Sequence, residues 1–241
     1  MTLRERMGLY RPLLAMLVLL LGVFQLTGCG DKEPEQRQAF IQFLQNTVLP
    51  GGERIPTLSA AQKEQFGPYA NDYQILQTFS DKFLSSVNGS LVPVLDEISQ
   101  IRVPQDYVSH RQTLAQAGGA LNMLAPDLAR AKKQADDGRA ALKQPEDLQK
   151  VYNQAYDKLV TGPIQKITPV ICAASSLAEQ LVHVGDFLAM QTGQGQPSYE
   201  GGSVSFATQL QVTQYNELMT GLQNQHQQLL QAQNSAGALL P

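Results

Sequence analysis

Apolar residues recur every three or four positions along most of the chain from Pro34, which is the spacing of one face of an α-helix. The recurrence is clearest between residues 69 and 87, at Tyr69, Tyr73, Leu76, Phe79, Phe83 and Val87. Residues 164–189 are the most apolar of these segments, and charged residues interrupt them, so we predict a buried core helix rather than a membrane span. The whole pattern predicts an all-α fold, a multi-helix bundle with long antiparallel helices.

Glycine and proline divide the predicted helices. Three such pairs mark predicted helix ends: Pro50-Gly51, Asn88-Gly89 and Gly162-Pro163. Residues 105–143 are predicted as one long helix, with a kink near Pro126 or Gly118-Gly119. A small β-hairpin is predicted near residues 197–206, turning at Gly201-Gly202.

The first 28 residues have a different pattern from the rest. Three arginines precede an apolar run over residues 13–24, which is too short to span a bilayer. The run is followed by Leu26-Thr-Gly-Cys29, which has the form of a bacterial lipobox. We interpret residues 1–28 as a lipoprotein signal peptide that is cleaved before Cys29, whose thiol is then lipidated. The alternatives are an ordinary signal peptide with an incidental cysteine, or a short N-terminal anchor.

This interpretation divides the chain into a signal peptide, a lipidated tether over residues 29–36 and a single helical periplasmic domain over residues 37–241. The chain of 241 residues has a formal net charge of −3. Removing residues 1–28 takes away three arginines and Glu5, which leaves 15 basic and 20 acidic residues and a net charge of −5. An acidic protein lacks the basic footprint that nucleic acid requires.

The membrane is the partner that the anchor implies. Acyl chains such as palmitate contribute about 0.8 kcal/mol per buried methylene, so two or three chains anchor a protein durably. The acidic domain itself has no electrostatic attraction to anionic lipid head groups. We therefore expect the lipid on Cys29 to hold the protein at the membrane.

Few residues suggest catalysis. The three histidines, His110, His183 and His226, lie on separate predicted helices, and none has a second ligand at metal-binding spacing, so we expect no metal. The sequence contains no phosphate-binding loop motif, and we expect no cofactor. His183 and Asp186 are three residues apart on one helix face and are the weak candidates for a catalytic pair. A satisfied polar pair or an exposed helix edge is the alternative, and we predict that the protein is not an enzyme.

Cys172 is the one other cysteine after Cys29. An isolated thiol in an oxidising compartment can be a redox or nucleophilic group. Its neighbours, residues 170–174, are apolar, and we therefore predict an inert thiol in the core.

Several segments resemble the YiaF-type lipoproteins of Gram-negative enteric bacteria, a family classified as a domain of unknown function. They are RQAFIQFLQNTV at 37–48, GERIPTL at 52–58, QFGP at 65–68, IRVPQDYV at 101–108 and LVHVGD at 181–186. The resemblance implies a Gram-negative envelope and a lipoprotein architecture. It supplies no catalytic residues.

Asp31 bears on which membrane holds the protein. The familiar signal for retention at the inner membrane places aspartate directly after the lipidated cysteine, and here Gly30 intervenes. We therefore expect the inner leaflet of the outer membrane rather than the inner membrane. The leading hypothesis is a lipid-anchored, non-enzymatic helical module that faces the periplasm and binds an envelope protein or a small ligand. The alternatives are an envelope enzyme acting on cell-wall or lipid material, and a purely structural spacer.

Overall fold

Helices make up nearly all the regular structure in the computed structural model, which describes residues 32–52, 54–191 and 193–237 (without the side chain of Gln194). The helices are α1 Glu33–Phe43, α2 Ala60–Phe66, α3 Tyr69–Ser86, α4 Val92–Ser99, α5 Pro104–Ser109, α6 Arg111–Ala140, α7 Glu146–Tyr156, α8 Gly162–Met190 and α9 Gln209–Ala236. Two short strands, β1 Ser198–Glu200 and β2 Ser203–Ser205, pair antiparallel. The prediction of an all-α fold with one small hairpin is confirmed. The tether and the anchor, including Cys29, lie outside the described residues, except for residues 32–36.

Widened π-helical turns follow α1, α3 and α7, at Leu44–Val48, Val87–Leu91 and Asp157–Thr161. Each ends two residues before a proline: Pro50, Pro93 and Pro163. A proline cannot donate to the carbonyl four residues earlier and its ring crowds that carbonyl, and a wider turn relieves both problems. The prediction that helices end at Asn88-Gly89 and Gly162-Pro163 was therefore wrong. The helix instead continues from α3 into α4, and from α7 into α8.

The predicted long helix over residues 105–143 is also wrong, because α5 and α6 are separate and meet at His110. Tertiary contacts explain the break. His110 Nδ1 lies 2.7 Å from Glu97 Oε1 of α4, and α5 lies very close to α8. A Cβ added at Gly185 of α8 would be 2.3 Å from the carbonyl oxygen of Tyr107. By contrast, α6 passes through Pro126 without interruption.

The long helices are antiparallel, as predicted. Arg111 near the start of α6 pairs with Asp186 near the end of α8, with Nη1 and Oδ1 3.2 Å apart. Farther along α6, Ser175 Oγ of α8 donates to Asn122 Oδ1 at 3.0 Å. Helix α9 turns back along α8, where Gln180 Nε2 donates to a carbonyl of α9 at 2.9 Å.

The core is one cluster of buried apolar residues drawn from α1–α4 and α6–α9. Its largest fully buried side chains include three tyrosines, Tyr73, Tyr152 and Tyr156. Their hydroxyl groups are not left unpaired: Tyr73 donates to the Pro56 carbonyl at 2.7 Å and Tyr152 to the Asp72 carbonyl at 2.8 Å. These bonds satisfy polar atoms that burial would otherwise penalise.

Helix α1 is fixed to α7 at both ends. Near its start, Arg37 Nε lies 3.5 Å from Asp147 Oδ2. At the other end, Lys158 Nζ donates to the carbonyl oxygens of Val48 at 3.2 Å, of Leu49 at 2.5 Å and of Gly51. A lysine ammonium suits the unpaired carbonyl groups that end a helix. The described chain therefore begins beside the start of α7, which we call the basal end.

The hairpin lies after α8, at what we call the distal end. Gly201 and Gly202 have φ values of +56° and +80°, as a two-residue hairpin turn of type I′ requires. The hairpin predicted near residues 197–206 is confirmed.

Among the described residues, one helix is long and apolar enough, by length and composition, to cross a membrane. It is the continuous helix Glu146–Met190, formed by α7 and α8. Half of its most apolar window is buried inside the protein, where α6 and α9 pack against α8. It occupies the position of a core helix in the bundle.

Candidate ligand-binding groove

A groove of about 840 Å³ lies between α4, α8 and α9. Ligand pockets typically enclose about 300–1,000 Å³, so the space is sufficient for a small molecule. Along α9 the lining extends from Asn216 to Gln233, which corresponds to about 25 Å of helix. The groove is therefore elongated, and we call it the α4–α9 groove.

Apolar side chains form the floor and one wall of the α4–α9 groove. The buried floor consists of Leu177, Leu181, Leu222 and Leu229. The half-buried wall consists of Leu95, Ile98 and Ile101, with Met219 on the opposite side. A methionine side chain has three flexible bonds and adapts to ligands of different shapes. The floor and wall favour an apolar ligand.

The rim of the groove is polar. It is formed by Ser99, Asn216, Thr220, Gln223, His226 and Gln233. None of the residues that line the groove is Asp, Glu, Lys or Arg. From residue 167 to residue 241 the sequence contains no Lys or Arg, and its four carboxylates are Glu179, Asp186, Glu200 and Glu217. The surroundings of the groove are thus neutral to acidic.

Helix α5 closes one end of the groove with Tyr107. Asp106 fixes the start of this helix, because its carboxylate accepts bonds from the backbone N–H groups of Arg102 at 2.8 Å and Val103 at 3.0 Å. These two bonds hold the pKa of Asp106 below its ordinary value. Burial, and then the charge of Asp106, raises the pKa of Tyr107, whose hydroxyl therefore stays neutral. The contact of Tyr107 with the groove was not predicted from the sequence.

A second cavity, of about 770 Å³, lies between α3 and α6. It is more polar, with amides such as Asn71 and Gln134 and the charged residues Lys82, Asp127 and Arg130. Arg130 is already paired with Asp127. Small residues on α6, among them Gly138, allow Ile75 of α3 to approach closely. The α4–α9 groove has the more apolar lining of the two.

The structure does not join the two weak catalytic candidates. His183 is exposed on α8, and Asp186 forms its ion pair with Arg111 of α6. No hydrogen bond or ion pair links His183 to Asp186 in the described part of the chain, and neither residue lines either cavity. Within those same residues, no three His, Cys, Asp or Glu side chains converge as metal ligands.

The prediction that Cys172 lies in the core was wrong, because its side chain is exposed. Successive residues on a helix are about 100° apart. Ile171 and Ala174 face the core, and Cys172 between them points outward. An apolar stretch of sequence therefore does not bury every residue within it.

The groove could not be found from the sequence. Its apolar residues come from α4, α5, α8 and α9 and from Ile101 after α4, and they also fit the ordinary apolar spacing of core helices. The absence of basic residues after Lys166 was the available signal, since it marks the surface on which the groove lies.

Comparison with known proteins places the chain in a family. A family described as "Protein of unknown function (DUF3053)" matches residues 17–237. The chain belongs to this family. It is 46% identical over 227 residues to the "Uncharacterized protein YiaF" of Escherichia coli strain K12, covering 94% of each chain. The proteins of that name from E. coli O157:H7 and Shigella flexneri match to the same extent. No solved structure matches the chain significantly.

Proposed function

We propose that this protein is a lipid-anchored, non-enzymatic binding module of the bacterial envelope, and that it binds a small apolar ligand in the α4–α9 groove. The observation that carries the binding role is the groove itself, with its leucine floor and polar rim. The anchor rests on the sequence Leu26-Thr-Gly-Cys29 and on the charged and apolar segments before it. The domain faces the periplasm from the inner leaflet of the outer membrane.

The position of the groove supports this assignment. Residues 33–37 lie at the basal end, beside Asp147, so a chain anchored through Cys29 holds that end next to the membrane. From Asp147 to Leu177, at the groove floor, the helix axis covers about 45 Å. Lys32 is three positions after Cys29, and this segment reaches at most about 10 Å. The groove is therefore presented away from the anchoring membrane.

The anchor is tested by metabolic labelling with a clickable palmitate analogue, with Cys29→Ser compared with Cys172→Ser. We expect the Cys29→Ser variant to lose the label and the Cys172→Ser variant to keep it. Density fractionation of the labelled wild-type protein should place it with outer-membrane markers. Label that survives in Cys29→Ser would contradict the anchor, and an inner-membrane peak would contradict the choice of membrane.

The binding role is tested with a tryptophan reporter, because the chain contains no tryptophan. Met219→Trp places the reporter in the groove, and Met123→Trp, on the exposed surface of α6, is the matched control. Each full-length variant, held in an amphipathic polymer, is titrated with a terminally brominated decanol, which quenches tryptophan on contact. We expect saturable quenching in Met219→Trp and none in Met123→Trp. Equal quenching in both variants, or none in either, would contradict a binding groove.

A further inference from the structure

The lining of the α4–α9 groove restricts the charge of what it can bind. An anionic group in this groove finds no Lys or Arg among the lining residues. The charged residues that adjoin the lining in the sequence of α4 and α9 are carboxylates: Glu97 precedes Ile98, and Glu217 follows Asn216. Like charges without an intervening cation repel each other, and an anion that leaves water for this surface is not compensated.

One acidic neighbour is already paired. Glu97 lies 2.7 Å from His110 Nδ1, and both side chains are largely buried at the junction of α4, α5 and α6. Arg111 is held by Asp186 of α8. Arg111 therefore has a carboxylate partner. Arg102, next to Ile101, is exposed and does not line the groove, and its charge contributes to lowering the pKa of Asp106.

The shape of the groove restricts the ligand further. Its lining extends for about 25 Å along α9, and the buried leucines Leu222 and Leu229 cover about 10 Å of that length. A single extended hydrocarbon chain fits an elongated apolar floor of this kind. The uncharged rim residues, such as Thr220 and Gln223, offer hydrogen bonds to a polar head at the surface.

The acyl chains on Cys29 do not fill this groove. The floor at Leu177 is about 45 Å along the helix axis from the basal end, while the tether from Cys29 to Lys32 reaches at most about 10 Å. Burial of each methylene in the bilayer also holds those chains in place. The occupant must be a separate molecule.

We infer that the α4–α9 groove binds a single-chain lipid whose head group has no net charge, with the hydrocarbon chain on the leucine floor and the head at the rim of α9. This inference rests on the proposed function and specifies its ligand. Free fatty acids and other anionic single-chain lipids are disfavoured at neutral pH, because no Lys or Arg lines the groove to pair with their charge.

The test uses the full-length Met219→Trp variant and three lipids that carry the same brominated chain: a monoacylglycerol, a lysophosphatidylcholine and a free fatty acid. Each is titrated at pH 8 below its critical micelle concentration. We expect the monoacylglycerol and the lysophosphatidylcholine to bind at least tenfold more tightly than the fatty acid. Equal or tighter binding of the fatty acid would overturn the inference.

A designed cation gives an independent test. Thr220→Lys, introduced with Met219→Trp, places an ammonium group at the rim, and we expect it to increase the affinity for the fatty acid at least fivefold relative to the affinity for the monoacylglycerol. Thr213→Lys is the matched control, because both threonines are exposed on α9 and donate to the carbonyl four residues earlier. An equal gain in both variants would contradict head-group binding at the rim.

The failure of this inference can be distinguished from failure of the proposed function. If brominated decanol quenches saturably but none of the three lipids does, the groove binds small apolar molecules and the lipid assignment is wrong. If neither decanol nor any lipid quenches Met219→Trp while circular dichroism shows a folded protein, both are wrong.

Discussion

The basal half and the distal half of the molecule are each stabilised by a different kind of contact. In the basal half, from the start of α7 to Lys158 just after its end, charged groups make directional bonds: Lys158 donates to three carbonyls that end the first helix, and Arg37 bridges to Asp147. Arg139 also stacks over the ring of Tyr156, with its Cζ 4.2 Å from the ring centroid. These contacts fix the region next to the proposed anchor in one geometry.

At the distal end the corresponding contacts are neutral. Gln211 Nε2 donates to Gln191 Oε1 at 2.8 Å and to the Gly195 carbonyl at 2.9 Å, which holds the loop before the hairpin on α9. Phe187, Phe206 and Tyr215 form a cluster of rings with centroids 5.1–6.4 Å apart. Amides and rings hold the hairpin on α9, beside the Arg111–Asp186 ion pair near the end of α8. The low charge of α9 makes the adjacent groove suitable for an uncharged ligand.

The largest expected effect comes from the basal core. Tyr152→Ala removes a fully buried ring and its bond to the Asp72 carbonyl, so we expect the free energy of unfolding to fall by about 3–5 kcal/mol. Tyr215→Ala, at the half-buried distal cluster, should cost less than half as much. Urea denaturation monitored by circular dichroism measures both. Equal losses would mean that the two ends are equally well packed.

Close packing of α5 on α8 gives the next effect. Gly185→Ala places a Cβ against the Tyr107 carbonyl and should destabilise the protein by about 1–3 kcal/mol. Gly118→Ala is the control, because nothing lies within 4 Å of the added Cβ on α6, and it should stabilise the helix by about 0.5–1 kcal/mol. Thermal melts measure whether Gly185→Ala lowers the melting temperature and Gly118→Ala raises it. Destabilisation by Gly118→Ala would contradict the described course of α6.

The hydrogen bonds from Lys158 to the end of α1 are tested by removing its ammonium group. Lys158→Met keeps most of the apolar stem but removes the ammonium, and we expect a loss of about 1.5–3 kcal/mol, the range for hydrogen bonds to charged groups. Lys133→Met removes an exposed ion pair with Asp137 and should have no measurable effect. If the two substitutions cost the same in urea denaturation, Lys158 does not fasten α1.

The smallest effect depends on pH. Burial raises the pKa of Asp72 above its ordinary value, although the bond from Gln144 partly offsets this. The folded state therefore binds the proton more tightly than the unfolded state, and stability falls as the pH rises from the unfolded pKa through the folded one. Asp72→Asn avoids that loss, so it should be slightly more stable than wild type at pH 7 and equal to it at pH 3. An Asp72→Asn variant that is less stable than wild type at pH 7 would contradict a raised pKa of Asp72 in the folded state.

The sequence predicted the elements better than their connections. Apolar spacing located the helices, and Gly201-Gly202 located the hairpin, because both depend on local geometry. The helix ends predicted just before Pro93 and at Pro163 were wrong, because a helix can widen by one residue and continue past a proline. The sequence prediction also failed at His110, where contacts with Glu97 and α8 break a helix that the local sequence would extend. The groove escaped prediction because its leucines have the same spacing as core leucines and become a site only when α4, α8 and α9 meet.

The most direct test of the central claim observes the methionine methyl groups of the unmodified protein by NMR. The sequence has six methionines, three of which lie within residues 1–28, so cleavage before Cys29 should leave the signals of Met123, Met190 and Met219. Met123 and Met190 are 57% and 74% exposed, and Met219 lies in the groove. On titration with the brominated monoacylglycerol, we predict three signals, of which the Met219 signal alone changes and saturates. Six signals would contradict cleavage, and equal changes at all three methionines would contradict binding in the groove.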